Sequence, residues 1–173
     1  RKGKFINLTL TLKAPPFSSE MRNSYDELPE YVIFGGLVFI ALNRNYIHSP
    51  GNITPPLAYE HWYREIERPR TRHEQVVIVT RVLPSPVNSG YTNLHNFIVS
   101  SLNGKPVRSL AHLEKMLKNM PPETTNVVFG SEWHKIPLVL NFKESLEQHY
   151  SVLKRYGIID GSRIYADKNK DSQ

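Results

Sequence analysis

Tyr31-Val32-Ile33-Phe34-Gly35-Gly36-Leu37-Val38-Phe39-Ile40-Ala41-Leu42 places two adjacent glycines directly before a run of strand-forming apolar residues. Glycine tolerates backbone angles that other residues avoid, so Gly35-Gly36 forms a tight loop able to turn its N–H groups outward. Such a nest of amides binds anions, a peptide's terminal carboxylate among them, and the strand beside it can pair with that peptide along its edge. The plainer reading of Gly-Gly before a strand is an ordinary turn or bulge.

Working outward, Phe5 to Leu12 alternates apolar and polar residues as a half-buried strand does. A polar segment from Ser18 to Glu30 leads to the glycine loop, and Leu37 to Leu42 reads as a well-buried strand. Residues 43–54 read as loop. Thr54, Pro55 and Pro56 open a helix to about Glu67, and Val76 to Leu83 is a β-branched strand. Phe97 to Leu102 is a strand closed by the turn dipeptide Asn103-Gly104. Ser109 caps a helix reaching about Asn119. Residues 126–129 and 136–142 form a hairpin. Lys143 to Tyr156 is a last helix with Leu146, Tyr150 and Leu153 on one face, and Gly157 stands at its C′ position. The fold class is α+β, a partly open barrel or sandwich flanked by helices. Residues 1–142 read as the main domain, with a helical insertion at about 43–75, and 143–173 as a helix and polar tail.

The 173 residues, 39% hydrophobic and 10% aromatic, suffice for one packed core. No apolar run approaches the roughly 20 residues of a transmembrane helix. The first residue is Arg1, and the chain reads as a piece of a larger protein. Cysteine is absent, which excludes disulfides, thiolate metal sites and a cysteine nucleophile.

Leu102-Asn103-Gly104-Lys105-Pro106-Val107, followed by Ser109-Leu110-Ala111-His112-Leu113, resembles a PDZ domain, in which a hydrophobic-Asn-Gly strand precedes a Ser-capped helix. The glycine loop and strand at 31–42 resemble the PDZ carboxylate-binding loop and groove strand. The block at 31–39, Gly90-Tyr91 and Val152-Leu153-Lys154-Arg155-Tyr156-Gly157-Ile158 are similar to the second PDZ-like domain of plant-type Deg/HtrA serine proteases, over most of residues 25–160. Gly35 departs from the pattern, standing where a hydrophobic residue is usual.

The resemblance implies a regulatory, peptide-binding module of a serine endopeptidase of protein quality control, working in an oligomer typically built from trimers. Its partners would be peptide or protein segments and neighbouring PDZ or protease domains. The alternative is a structural docking domain whose groove is filled by the protein's own segment. The family's compartments are chloroplast, mitochondrion, nucleus and bacterial envelope. Its triad serine lies in a Gly-Asn-Ser-Gly-Gly block, whereas Asn88-Ser89-Gly90 is preceded by Val87 and followed by Tyr91 and reads as a turn. No catalytic residue is assigned to this chain.

The seven histidines show no metal-ligand spacing, so no metal or other cofactor is expected. Arg64, Arg68, Arg70 and Arg72 form a basic cluster that would serve an adaptor for anionic partners. Glu65, Glu67 and Glu74 interleave with it and leave residues 62–75 near +1. A solvated or protein-docking face is favoured over nucleic acid.

The candidate groove then has two walls. Phe34, Gly35, Gly36 and Leu37 would supply the loop, with Leu37 and Phe39 on one side of the strand. Leu110, Glu114 and Leu117 share a helix face, and Leu113 and Met116 point to the core. Lysine at Leu37 and Leu117 is expected to abolish peptide binding and leave the fold intact.

Overall fold

The computed structural model describes residues 28–67 and 75–164, with 64–67 as backbone only. The strand expected at Phe5 to Leu12 lies outside the described residues, as do the side chains of Arg64, Arg68, Arg70 and Arg72.

The described residues build two antiparallel sheets with four helices, and these sheets do not close into a barrel. In chain order the elements are β1 (Tyr31–Phe34), β2 (Leu37–Ala41), α1 (Arg44–Ile47), α2 (Pro55–Glu67), β3 (Val77–Val82), a 3₁₀ turn (Pro86–Asn88), β4 (Phe97–Val99), β5 (Ser101–Leu102), β6 (Lys105–Pro106), α3 (Leu110–Lys118), β7 (Asn126–Gly130), β8 (Leu138–Asn141), α4 (Phe142–Arg155) and β9 (Ser162–Arg163). One sheet runs β4-β3-β2-β1-β9 and the other β6-β5-β7-β8. The strand expected at 97–102 is thus two strands in different sheets. Ser100 makes the crossing, its N–H bonded to Gly130 O and its carbonyl accepting from Val107 N.

Local chemistry explains the boundaries. Asn103 and Gly104 both take positive φ, +48° and +75°, as a two-residue hairpin turn demands. The Ser109 hydroxyl accepts from His112 N at 3.0 Å, satisfying a donor that α3 cannot bond internally. Asn141 caps α4 through Glu144 N at 3.0 Å. Gly157, at φ +66°, ends it, and Ile158 N reaches back to Leu153 O.

The alternation of β2 sends Leu37, Phe39 and Ala41 into the space between the sheets, where they meet Val77, Val79, Phe129, Leu140 and the α3 leucines. Its other face, with Ile78 and Ile98 from the neighbouring strands, is covered by α1 and α2 through Ile47 and Leu57. Residues 43–54, expected as loop, contain the short helix α1.

The last helix differs from expectation. Its buried face is Phe142, Ser145, Val152 and Leu153, and Leu146 and Tyr150 are exposed. After it the chain returns to the sheet, and β9 pairs antiparallel with β1. The sequence reading did not anticipate this strand.

Candidate peptide groove

Gly35 and Gly36 have φ of +55° and +80°, and they join β1 to β2 with Phe34 opposite Leu37. Two consecutive positive φ values define the type I′ hairpin turn. The strain of putting any other residue there is compounded by crowding. A Cβ at Gly35 would lie 2.5 Å from Leu140 Cδ1 and 3.0 Å from Ser145 Oγ. A Cβ at Gly36 would lie 2.3 Å from Asn88 Nδ2 and 2.4 Å from the carbonyl oxygen of Leu83.

The loop's carbonyls are engaged too. Asn88 Nδ2 donates to Gly35 O at 2.7 Å and to Leu83 O at 2.9 Å, and its Oδ1 accepts from Ser85 N at 3.0 Å. Leu83 N donates to Gly36 O at 2.7 Å. Asn88 is buried and ties the backbone of Leu83 and Ser85 to the hairpin. Asn88→Ala strands buried polar groups that cost about 1–3 kcal/mol each. We expect a loss of about 2–4 kcal/mol, read as a lower urea midpoint with an unchanged slope.

Both edges of β2 are paired. Its residues 37–39 face β1 on one side, and 37–41 face β3 on the other. β1 in turn carries β9, with Tyr31 opposite Arg163 and Val32 opposite Ser162. Ile33 N donates to Gly161 O at 2.7 Å, away from β2. By antiparallel alternation the Val32 and Phe34 amides therefore point to β2, and those of Leu37 and Phe39 point back.

The expected groove residues meet, and they meet in the core. Leu37, Phe39 and Leu110 have no exposed surface, and Leu113 and Leu117 join the same cluster, so no groove face separates Leu110 and Leu117 from Leu113 on α3. Phe34 packs on Phe142 and Phe129 with ring centroids 6.0 and 6.4 Å apart, and Phe39 lies 5.0 Å from Phe129. Helix α3 touches both β1 and β2. Glu114 alone of the set stays at the surface margin, bonded to Lys118 Nζ at 2.8 Å and to the hydroxyl of Ser162. Burial by itself would raise its carboxyl pKa, but the bonds from Lys118 and Ser162 and the Lys118 charge win and hold it below the usual glutamate range.

Three further residues hold the site, and apolar patterning gave no sign of them. Asn88 is the clamp just described. Tyr91 Oη accepts from Val139 N at 3.1 Å and donates to Val139 O at 3.3 Å, satisfying the outward edge of β8. His149 packs against β9's approach: a Cβ at Gly161 would fall 2.4 Å from His149 Nε2.

Burial pushes the His149 pKa down, and burial does the same to His134, whose ring stacks on Phe97 at 4.6 Å. The unfolded chain therefore binds protons more readily at both positions. Their stabilising contribution is complete above the ordinary histidine value, about 6.5, and is lost as pH falls through it. The urea midpoint should drop between about pH 7.5 and pH 5.5, and drop less in His149→Gln. An equal drop in that variant assigns the effect elsewhere.

Among the described residues no group of three or more His, Asp or Glu could hold a metal, and no helix is long and apolar enough to cross a membrane. Ser89 follows the 3₁₀ turn as its exposed C-cap.

A two-sheet α+β sandwich, with a Ser-capped helix laid across a glycine-linked strand, is the architecture of a PDZ module. The chain belongs to the PDZ domain family, whose model matches residues 21–162. Its relatives include two Arabidopsis thaliana proteins. It is 32% identical over 154 residues to "Putative protease Do-like 3, mitochondrial", covering 89% of this chain and 25% of that protein. It is 33% identical over 150 residues to "Protease Do-like 2, chloroplastic", covering 84% and 24%. The chain therefore spans about a quarter of the length of these relatives, and the similarity lies in their PDZ region.

Proposed function

We propose that this chain is the assembly and docking PDZ module of a Do-like serine endopeptidase of protein quality control in a plant-type organelle, and that its ligand slot is filled by its own chain. In strand-addition recognition, an incoming peptide pairs with a free strand edge. The observation that carries the reading is the pairing of β2: β1 lies along the β2 edge at which a ligand strand would add, and α3 touches both strands. The surroundings of Gly35 and Gly36 favour the same reading, since Leu140, Ser145, Asn88 and Leu83 crowd the loop that would otherwise receive a carboxylate. The module then works through its outer surfaces, on neighbouring PDZ or protease domains of an oligomer.

The test is removal of these residues from the full-length protease. Sedimentation velocity should show loss of the native assembly, with hydrolysis of a short unstructured peptide retained by the protease domain. An unchanged assembly, together with lost capture of peptides by their free C-termini, would overturn the docking role in favour of substrate capture.

A further inference from the structure

The pairing of β2 with β3 shifts register once. Val38 faces Arg81, but Phe39 faces Val79, so Thr80 is the extra residue of a β-bulge. A bulge re-aims side chains. Val79 and Val82 both enter the main core, three positions apart instead of two. The intervening pair, Thr80 and Arg81, is thereby turned to the outer face of the five-stranded sheet, away from the α3 side.

On that face lies a cavity of about 340 Å³ whose lining includes Tyr46, Asn52, Thr80, Arg81, Thr92 and His95. This volume falls within the range of small-ligand sites, about 300–1,000 Å³. The lining is mostly polar and contains no carboxylate. Among the described residues no acidic side chain pairs with Arg81.

The walls are held in place before any ligand arrives. Tyr46 Oη donates to Asn96 Oδ1 at 2.6 Å, Asn96 Nδ2 donates to Asn52 O at 3.2 Å, and Asn52 Nδ2 donates to Tyr46 O at 3.1 Å. This closed circuit ties α1, the loop after it and the loop before β4 into one frame. Asn96, buried, sits at φ +59°, a left-handed conformation costly for a residue with a side chain and kept only where its surroundings determine it. The Tyr46 hydroxyl is held neutral: burial raises its pKa and outweighs the opposing Arg81 charge.

We propose that this pocket is a second ligand site, separate from the β2 slot, and that it binds a carboxylate of a protein segment through Arg81. A guanidinium presents a planar fork that matches a carboxylate with two parallel hydrogen bonds. One permanent cation, with no acid paired to it among the described residues, balances a monoanion; a phosphate dianion would call for more positive charge. The Thr80 hydroxyl donates to Val38 O and the Thr92 hydroxyl to Ser89 O, both at 3.3 Å, so each oxygen keeps lone pairs to accept an N–H of the neighbouring peptide.

The carboxylate has two sources, a chain terminus or an acidic side chain, and the test separates them. The probes are acetyl-Ala-Ala-Ala-Ala with a free terminus, acetyl-Ala-Asp-Ala-Ala-amide, and inorganic phosphate, each titrated into the isotope-labelled chain. One or both carboxylate probes should move the amide resonances of Thr80, Arg81 and Thr92 to His95 saturably, the responding probe naming the source. Arg81→Gln should weaken that binding about tenfold or more, as loss of a charge-assisted hydrogen bond does, and Arg81→Lys should weaken it less. Arg81 is exposed, so both variants keep the core intact. Thr92→Val, also at an exposed position, should weaken binding by a smaller factor. No saturable shift from either carboxylate probe, tighter binding of phosphate than of both, or undiminished binding by Arg81→Gln would overturn the proposal.

Discussion

Leu37→Lys should leave the chain unfolded at room temperature. Leu37 has no exposed surface and sits between the sheets with Phe39, Val82 and Leu110. An ammonium placed there has no partner and no water, and its aliphatic stem cannot reach the surface past β3 and α3. The penalty exceeds about 4 kcal/mol, a large part of the about 5–15 kcal/mol that holds a domain together. Far-UV circular dichroism should show lost secondary structure and no cooperative thermal transition. A folded variant lacking only peptide binding would instead match the expectation drawn from sequence, in which Leu37 faces a groove.

Gly36→Val should be nearly as severe, for a different reason. The residue must keep φ near +80° to close the hairpin, and β-branched side chains resist that region most. Its Cβ would lie 2.4 Å from the backbone oxygen of Leu83, which cannot move without dragging the end of β3. Left-handed strain of about 1–2 kcal/mol adds to overpacking of about 1–3 kcal/mol. We expect a total of about 2–5 kcal/mol, measured as a large fall in urea midpoint. Gly104→Val supplies the control: it meets the same kind of strain at φ +75° but has open space around it, so it should lose markedly less. Equal losses at the two glycines would show that packing around Gly36 contributes nothing.

Much of the fold is legible in local signals because local chemistry makes those choices. Asn103-Gly104 announces its hairpin, Ser109 its helix cap, and Gly157 its helix stop, each through a conformation or hydrogen bond confined to a few residues. Alternation places Leu37 and Phe39 on one side of β2, and the structure agrees. What alternation leaves open is whether that side meets a ligand or the other sheet.

The neighbours of a strand are a tertiary property, and here they decide the site. β9 is two residues, Ser162-Arg163, with no apolar pattern. It forms because α4 turns the chain back, Tyr31 Oη donates to Asp160 O, and the Arg163 guanidinium lies 5.4 Å from the centre of the Tyr31 ring. On α4, apolar spacing selects Leu146, Tyr150 and Leu153; Leu153 is buried, but the other two are exposed and polar Ser145 is buried instead. That residue is small enough to sit under Gly35, and its hydroxyl is satisfied by Asn141 O at 2.6 Å. Asn88 is hidden likewise: a polar residue in a turn-like sequence that turns out to clamp the hairpin.

The central claim, that β1 fills the slot beside β2, is tested most directly by hydrogen exchange at the Leu37 and Phe39 amides, which point toward β1. If β1 holds that edge, both should exchange only through global unfolding, at rates following the stability of the whole domain. Their resonances should also stay fixed when a peptide ending in a free apolar C-terminus is added in excess. Fast exchange at these two amides beside protected Val38 and Ile40, or peptide-induced shifts centred on them, would contradict the account and return β2 to the role of an open ligand-binding strand.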